Sequence, residues 1–375
     1  MSKPINHHFV PKHFLRPWAT DESTQVYVFE PQQNFTHSLS EICSRDYFHG
    51  NPKVEKELSD IEGRHEDVLR KIRSTMDLSE LSDAEIATLL SFVAFQRNRT
   101  RAVKQEVWES GEEVISDGLR EDFEESSLVI DEQKSYIDGL TDAYIQSIHY
   151  FLIIHGIFGH IILGDLRVTL LCNQTNTPFV TCDVPIAHDN PCFKSGERPS
   201  GPGVANSGIQ LFCPISPSLS IFLYDPQCYQ VSANQKGQIL LDQPEIVREI
   251  NDLQVYDARN IIIHNGAPEV EIERLHSTWE DSDRLGEVPQ THESEEWGEL
   301  ELNFEPSHQI PTFSPEIPNV WTVPTLDSPQ RQQRDPARYK KQKELIHRVM
   351  QRTGASDAAV IYAVRAQLEW LQESG

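Results

Sequence analysis

In the first half of the chain, apolar residues recur every three or four positions, the spacing that buries one face of a helix. One run predicts a helix of about 20 residues, with an inward face of Val54, Leu58, Ile61, Val68, Leu69 and Ile72. Ser82 and Glu85 then have the types and spacing of a capping box. The stripe that follows predicts one continuous helix through Leu89, Val93, Gln96, Thr100, Val103 and Val107. Residues 136–163 are apolar nearly all round in their second half, which predicts a central helix.

After residue 166 the pattern changes to alternation, which is typical of strands. Four strands are predicted there, at residues 167–172, 178–182, 209–213 and 219–223. A further strand is predicted at 25–29 and a further helix at 243–260. Short strands separated by turn residues favour antiparallel pairing. The expected fold class is therefore α+β, with a helical bundle packed on a mostly antiparallel sheet.

Composition divides the chain into three parts. Residues 1–266 form the predicted α+β core. Residues 267–330 are expected to be a flexible acidic and proline-rich linker, because 268–305 hold 13 acidic residues against two basic ones. Residues 331–352 reverse the sign, with eight Lys or Arg against two acidic residues. The segment 331–375 is predicted to be helical, and it could dock on the core, pair with the linker or bind a protein partner.

Charge and cysteine usage narrow the class of protein. A net charge of −25 disfavours nucleic-acid binding over the whole surface, although a local basic groove stays open. The cysteines form no Cys-x-x-Cys pair, so a zinc ribbon is not expected. The amino terminus has no apolar signal core, and the most apolar run, 151–163, is too short to span a bilayer. We expect a cytoplasmic protein with free thiols and no membrane partner.

Adjacent histidines near the amino terminus give the first candidate for chemistry. Pro11 suits the start of a short helix, and Pro17 ends it near Arg16. His7 and His8 then lie in extended chain, where consecutive side chains point to opposite sides. We favour His8 as a metal ligand or general acid or base, the tasks of neutral imidazole near pH 7. The alternative is a histidine that only caps backbone groups.

Polar residues on predicted buried faces extend the candidate site. Gln96 falls in the middle of an apolar stripe with Arg97 and Arg99 on either side, so it either bonds a neighbouring backbone or orients a ligand. Asp183 ends a predicted strand, where it is a metal ligand, a base or an Asx turn. Glu55 and Glu62 share one helix face and could bind a metal or pair with an arginine.

Several short motifs resemble those of the Domain of Unknown Function 4238 family over residues 5–265. Its members open with a His-Tyr-Val-Pro-like segment and then a Leu-Arg-Asn-Phe-like one, which here read His8-Phe9-Val10-Pro11 and Leu15-Arg16-Pro17-Trp18. Further matches are residues 95–100, 179–185 and 214–217, Asn251, and Ala258-Arg259. Trp18 replaces the usual Phe, and Cys182-Asp183 replaces a Ser-Asp pair. The resemblance implies a bacterial source and no assigned activity.

Together these residues predict a hydrolase-like enzyme, a nuclease or phosphodiesterase, in the setting of a defence or toxin effector. His8, Gln96, Arg99 and Asp183 are the expected catalytic residues. His8, Glu62 and Asp183 suit Mg²⁺, Mn²⁺ or Zn²⁺, which would activate water for attack on a phosphoester or similar small-molecule substrate. One alternative is a non-catalytic module that binds an anionic ligand or a protein partner. Another is that the motifs only hold the fold together.

Overall fold

The computed structural model describes residues 6–126, 133–191, 203–282, 292–293, 300–301, 313–323, 334–354 and 356–373. The fold is α+β, as the hydrophobic pattern predicts. The helices, in chain order, are α1 (Lys12–Leu15), α2 (Pro52–Thr75), α3 (Asp83–Asn98), α4 (Arg101–Ser126), α5 (Gln133–Ile157), α6 (His160–Leu163), α7 (Pro244–Asp257), α8 (Glu269–Asp281), α9 (Pro336–Thr353) and α10 (Asp357–Glu373). A short 3₁₀ turn, Arg16–Trp18, follows α1.

Two sheets carry most of the strands. The strands are β1 (Asn6–His8), β2 (Ser23–Val28), β3 (Gln33–Ser38), β4 (Ser44–Asp46), β5 (Arg167–Asn173), β6 (Thr181–Cys182), β7 (Ala187–Asp189), β8 (Gln210–Ser216), β9 (Leu219–Tyr224), β10 (Tyr229–Val231), β11 (Gln238–Leu241), β12 (Ile261–His264), β13 (His292–Glu293), β14 (Leu300–Glu301) and β15 (Val320–Thr322). One sheet has the order β11-β5-β9-β8-β7 and is antiparallel except where β11 runs parallel to β5. The other, β3-β2-β12-β6, is antiparallel throughout.

The strand predicted at 178–182 is much shorter in the structure and pairs with β12 rather than with the other three predicted strands. Side-chain bonds explain the difference. The Val180 N–H donates to the amide oxygen of Asn251, and the Asn251 Nδ2 donates to the Pro178 carbonyl. A side chain on α7 therefore takes the bonds that a neighbouring strand would otherwise make.

Helix α2 and the start of α3 confirm the helical pattern. All six apolar residues predicted to face inward on α2 are buried. Ser82 and Glu85 form the capping box, with both reciprocal hydrogen bonds present. The single helix predicted through Val107 is instead broken, because Arg99 leaves the helical conformation between α3 and α4. The Val107 side chain lies outside the described residues.

Glycines let α3 and α5 pack at very close range. A Cβ added to Gly156 would lie 2.9 Å from the Phe95 Cα, and one added to Gly159 would lie 2.2 Å from the Ala94 Cβ.

The segment Ile137–Leu163 has the length and composition of a membrane span, but 61% of its most apolar window is buried inside the protein. It forms the core helix that its pattern predicts, ending at Ile157 and continuing as α6.

Part of the predicted flexible linker is folded. Residues 269–281 form α8, which packs on α7 and buries Ile272 and Leu275. The acidic side chains that suggested disorder make ion pairs instead, as Glu271 does with Arg248 and Arg274. Further along, β15 pairs with β10 of the core. The rest of the predicted linker lies outside the described residues, apart from β13, β14 and 313–319.

The predicted carboxy-terminal helices are present as α9 and α10, and they dock on the core. Buried apolar residues of both helices share one cluster with α2 and α5, including Ile346, Val360 and Val364. Asp357 accepts a hydrogen bond from Asn51 at 2.7 Å, and Arg365 pairs with Glu57. Of the three fates predicted for this tail, docking on the core is the one the structure shows.

Candidate functional site

The amino-terminal histidines lie in strand β1, as their extended pattern predicts. β1 pairs with β4, and the alternation of the strand turns His7 inward and His8 outward. His7 is fully buried. His8 is partly buried, its Nε2 lies 3.1 Å from the Leu39 carbonyl, and burial lowers its pKa to about 4. His8 is therefore neutral at pH 7, and its neighbour is the histidine that reaches the protein interior.

Three buried imidazoles and one carboxyl group form what we call the histidine cluster: His7, His49, His149 and Glu55. The rings of His7 and His49 are stacked at 6.0 Å between centroids, and those of His49 and His149 at 6.1 Å. The Glu55 Oε2 lies 3.8 Å from the His7 Nδ1 and 3.9 Å from the His49 Nε2. Four separate elements or loops thus bring titratable groups to one place.

Local structure explains how Glu55 reaches this cluster. Asn51 caps α2 by accepting from the Lys53 N–H, and Pro52 occupies the first turn. Glu55 follows in that first turn with its Oε2 buried and no hydrogen-bond partner for that atom among the described residues. Its side chain is 15% exposed, whereas those of His7 and His49 are fully buried. Glu55 therefore connects the buried rings to the protein surface.

Burial sets the protonation states in the cluster. The pKa of Glu55 is raised to about 7, first by burial and then by the nearby charge of Glu62, while Arg99 opposes the rise. Burial holds the pKa values of His49 and His149 well below their usual range. The His7 Nδ1 accepts a hydrogen bond from the His49 N–H at 3.2 Å, so this nitrogen, which is also the ring atom near Glu55, carries no proton. A neutral, protonated carboxyl group is compatible with that neighbour.

A lysine and an arginine supply the positive charge beside the cluster. The Lys104 Nζ donates to the Phe48 carbonyl at 2.8 Å and to the Gln146 Oε1 at 3.0 Å. Burial lowers its pKa to about 8. The charges of Lys104 and Arg99 both lower the pKa of His149 further. Burial and neighbouring cations together thus keep the His49 and His149 rings neutral.

The predicted residues of α3 lie next to the cluster but hold backbone groups. The Arg99 guanidinium is buried, pairs with Glu62 and donates to the His8 carbonyl. The Gln96 Nε2 donates to the Phe9 carbonyl at 2.8 Å. The structure therefore brings His8, Glu62, Gln96 and Arg99 together, with α3 fixing the strand that carries both histidines. The break between α3 and α4 lies where Arg99 makes these contacts.

Asp183 makes its hydrogen bonds with a different segment of the chain. Its carboxylate accepts from the Arg259 N–H at 2.9 Å, the Asn260 N–H at 3.0 Å and the Asn260 Nδ2 at 3.1 Å. Burial raises its pKa, and these three donors oppose the rise. Asp183 makes no hydrogen bond or ion pair with His8, Glu62, Gln96 or Arg99, all of which the structure describes. It fixes the turn between α7 and β12.

The predicted metal set does not assemble. Among the described residues, no three His, Cys, Asp or Glu side chains are placed to share one ion. Each member of the set has another contact: His8 has the Leu39 carbonyl, Glu62 has Arg99, and Asp183 has the turn after α7. All five cysteines that the structure describes are free and buried, and Cys192 lies outside the described residues.

Sequence reasoning missed His49, His149 and Lys104. His149 and His155 are six positions apart on α5, a spacing that puts them on different faces of the helix and indicates no shared site. His149 in fact meets His49 from the loop before α2. The spacing of residues within one element could not predict this contact, because the cluster is assembled from elements far apart in the chain.

Comparison with known proteins identifies a family but no activity. A family model described as protein of unknown function, DUF4238, matches residues 6–267. No curated protein and no solved structure matches the chain. The matched region contains every residue of the histidine cluster, and helices α9 and α10 lie beyond it.

Proposed function

This chain belongs to the DUF4238 family of proteins of unknown function, and we propose that it is a hydrolase that uses Glu55 and His49 as an acid and base pair. The observation that carries the proposal is the pKa of Glu55, raised to about 7 between two buried imidazoles. A general acid or base works best when its pKa lies near the working pH. An ordinary surface glutamate is fully ionised there and has no proton to give.

The two groups differ in protonation at pH 7, as acid and base pairs require. Glu55 holds its proton over much of the neutral range and is the proposed acid. Burial depresses the pKa of His49, so its ring is neutral and can accept a proton, although as a weaker base than an exposed histidine. His49 is the proposed base. The partly exposed Glu55 side chain is where a substrate and the attacking water would enter, and the His49 Nε2 lies 3.9 Å from the Glu55 Oε2.

The reaction proposed is hydrolysis of a phosphodiester. Water attacks phosphorus and forms the new P–O bond, and its proton passes to the His49 Nε2. The bond from phosphorus to the leaving oxygen breaks, and that oxygen takes the proton of Glu55. Transfer of a proton from His49 back to Glu55 restores both groups. We assign no step to a metal ion, because the predicted ligand set is not assembled.

Net charge bears on the size of the substrate. A chain with a net charge of −25 repels a long polyanion, so a small phosphodiester fits better than a nucleic acid. Arg99 does not supply an anion site, since its charge is already paired with Glu62. Lys104 is another cation beside the cluster, and it bonds a backbone carbonyl and an amide.

The test is turnover of bis(para-nitrophenyl) phosphate by the full chain, followed across pH. Glu55→Gln should lower kcat by about a hundredfold or more, while Asp60→Asn, an exposed carboxylate on the same helix, should leave kcat unchanged. The wild-type kcat should fall above about pH 7 as Glu55 loses its proton, and this limb should vanish in Glu55→Gln.

Two further results decide the remaining alternatives. Dialysis against EDTA should leave turnover unchanged, and loss of turnover that Mg²⁺, Mn²⁺ or Zn²⁺ restores would favour the metal-dependent form instead. No turnover by the wild type, or equal turnover by Glu55→Gln, would contradict the proposal and favour a binding or structural role for the cluster.

A further inference from the structure

A second site lies between the core and the docked tail. A cavity of about 820 Å³, open to solvent on one side, is lined by α3 and α6 and by α9 and α10. Small-molecule sites commonly have volumes of about 300–1,000 Å³. The cavity exists only because the tail docks, and two of its four helices lie outside the family match. It is distinct from the histidine cluster, with which it shares no lining residue.

The floor of the cavity is apolar. Apolar side chains line it from all four helices and from the turn before α6. They include Leu90, Phe158, Ile161, Leu345 and Ala366. The His160 ring stacks on the Trp370 indole with centroids 4.6 Å apart, which adds a flat aromatic wall. Such a surface favours the apolar body of a ligand, a flat ring above all.

One buried polar group faces this cavity without a partner. Gln367 is 1% exposed, lines the cavity, and its Nε2 has no hydrogen-bond partner among the described residues. A buried amide N–H without an acceptor costs about 1–3 kcal/mol. A ligand that brings an acceptor atom to this position would recover that cost, so the ligand needs an oxygen or similar acceptor near its apolar body.

The charges at the rim favour an anion. Arg338 is paired with Asp335 and donates to the Ile161 carbonyl, so its charge is already compensated. Lys341 lines the cavity and makes no ion pair or hydrogen bond with any residue that the structure describes. Asp83 also lies on the rim. It is exposed at the first turn of α3, where the helix dipole partly compensates its charge.

We propose that this cavity binds a small amphipathic organic anion, with an apolar body, best aromatic, on the floor and an acidic group between Lys341 and the Gln367 amide. The apolar lining, the unpartnered donor and the uncompensated cation are three independent features that the same molecule would satisfy. The proposal does not depend on the activity proposed for the histidine cluster.

The experiment uses the full chain and the fluorescent probe anilinonaphthalene sulfonate. The probe should bind with a rise in fluorescence, and naphthoate should displace it. Uncharged naphthalene methanol, which has the same rings, should displace it at least about fivefold less well, a difference of about 1 kcal/mol. Decanoate tests the body of the ligand, and weaker displacement than by naphthoate is expected.

Matched variants locate the site. Lys341→Gln should weaken naphthoate binding about fivefold, while Lys340→Gln, the adjacent lysine that does not line the cavity, should not. Gln367→Leu should weaken naphthoate more than naphthalene methanol. Ala87→Leu adds bulk to the cavity and should weaken the probe itself, with circular dichroism confirming that the variant is folded.

Several outcomes would overturn the proposal. Probe binding that no carboxylate displaces would do so, as would equal effects of Lys340→Gln and Lys341→Gln. Undiminished probe binding by folded Ala87→Leu would place the probe elsewhere on the protein. If Ala87→Leu fails to fold, the comparison of the two lysine variants still decides.

Discussion

Asp183 is a buried and Glu55 a mostly buried acidic residue within the family match, and their surroundings differ. The Asp183 carboxylate accepts three hydrogen bonds from one turn, and every donor is a backbone or amide N–H. The Glu55 Oε2 has no hydrogen bond among the described residues and faces two imidazoles at 3.8 and 3.9 Å. The fold satisfies the hydrogen-bonding capacity of the Asp183 carboxylate, whereas it leaves the Glu55 Oε2 without a donor among the described residues.

This difference separates a structural role from a chemical one. A buried polar group that the fold needs is normally satisfied by the fold. Asn251 behaves like Asp183 in this respect, because its amide oxygen and its amide nitrogen both bond the backbone of a distant segment. A buried group left without bonds lowers stability, and such groups are concentrated at functional sites. By this criterion the histidine cluster is the better candidate site.

The largest effect on stability is expected from removing the Asp183 carboxylate. Asp183→Ala leaves two backbone N–H groups and the Asn260 amide without an acceptor, so the free energy of unfolding should fall by about 3 kcal/mol. Urea unfolding measures this. Turnover per folded molecule should stay unchanged. Asp242→Ala, at an exposed position before α7, is the control. Loss of turnover with unchanged stability would reverse the comparison and return Asp183 to the active site.

The features predicted from sequence are those set by local pattern. The buried face of α2, the capping box at Ser82 and the strand that carries His7 and His8 all depend on residues a few positions apart. The break at Arg99 depends on contacts with Glu62 and the His8 carbonyl, which no local period contains. The acidic composition around α8 similarly predicted a flexible linker, whereas long-range ion pairs help to stabilise a helix there.

The candidate site was predicted only in part, for the same reason. Arg99 does pair with Glu62 and bond the His8 carbonyl, and Gln96 bonds the next carbonyl, that of Phe9, because polar residues on and beside the buried face of α3 meet the amino-terminal segment. The sequence could not show that His49 and His149 stack, since they come from a loop and a helix 100 positions apart. The sequence also could not show that Asp183 bonds the turn between α7 and β12.

A smaller effect is expected from the pH dependence of Glu55. Its pKa is raised from 4.5 to about 7 in the folded protein, so it keeps a proton that the unfolded chain loses. The native state is therefore penalised progressively as pH rises from 4.5 to about 7, by a total of about 3 kcal/mol at most. Below pH 4.5 both states are protonated and this penalty is absent.

Glu55→Gln removes this penalty. Relative to wild type, the variant should gain about 1–3 kcal/mol in the free energy of unfolding between pH 5 and pH 8, measured by urea titration at both values. Asp60→Asn serves again as the exposed control. An equal stability difference at the two pH values would show that Glu55 is ionised in the folded protein, and the distinction from Asp183 would then lose its basis.

At pH 7 the smallest effect is expected at the far end of the cluster, where His149 tests whether unsatisfied groups really cost stability. Both of its ring nitrogens are buried without a hydrogen-bond partner among the described residues. Its ring packs edge-on against Phe48 at 5.4 Å and stacks on His49. His149→Phe keeps a ring of similar shape and removes two unsatisfied atoms, so the free energy of unfolding should rise by about 1 kcal/mol at pH 7.

The gain from His149→Phe should increase in acid. Burial holds the pKa of His149 well below 6.5 in the folded protein, so the stability its neutral form contributes is present above pH 6.5 and is lost as pH falls below that value. Phenylalanine cannot take up the proton, and the variant should therefore gain about 2 kcal/mol more at pH 5 than at pH 7. The control is His37→Phe, at a side chain that is 40% exposed, which should show no such dependence. A destabilised His149→Phe would mean that the ring nitrogens have a bound partner in solution, which would itself mark the cluster as a ligand site.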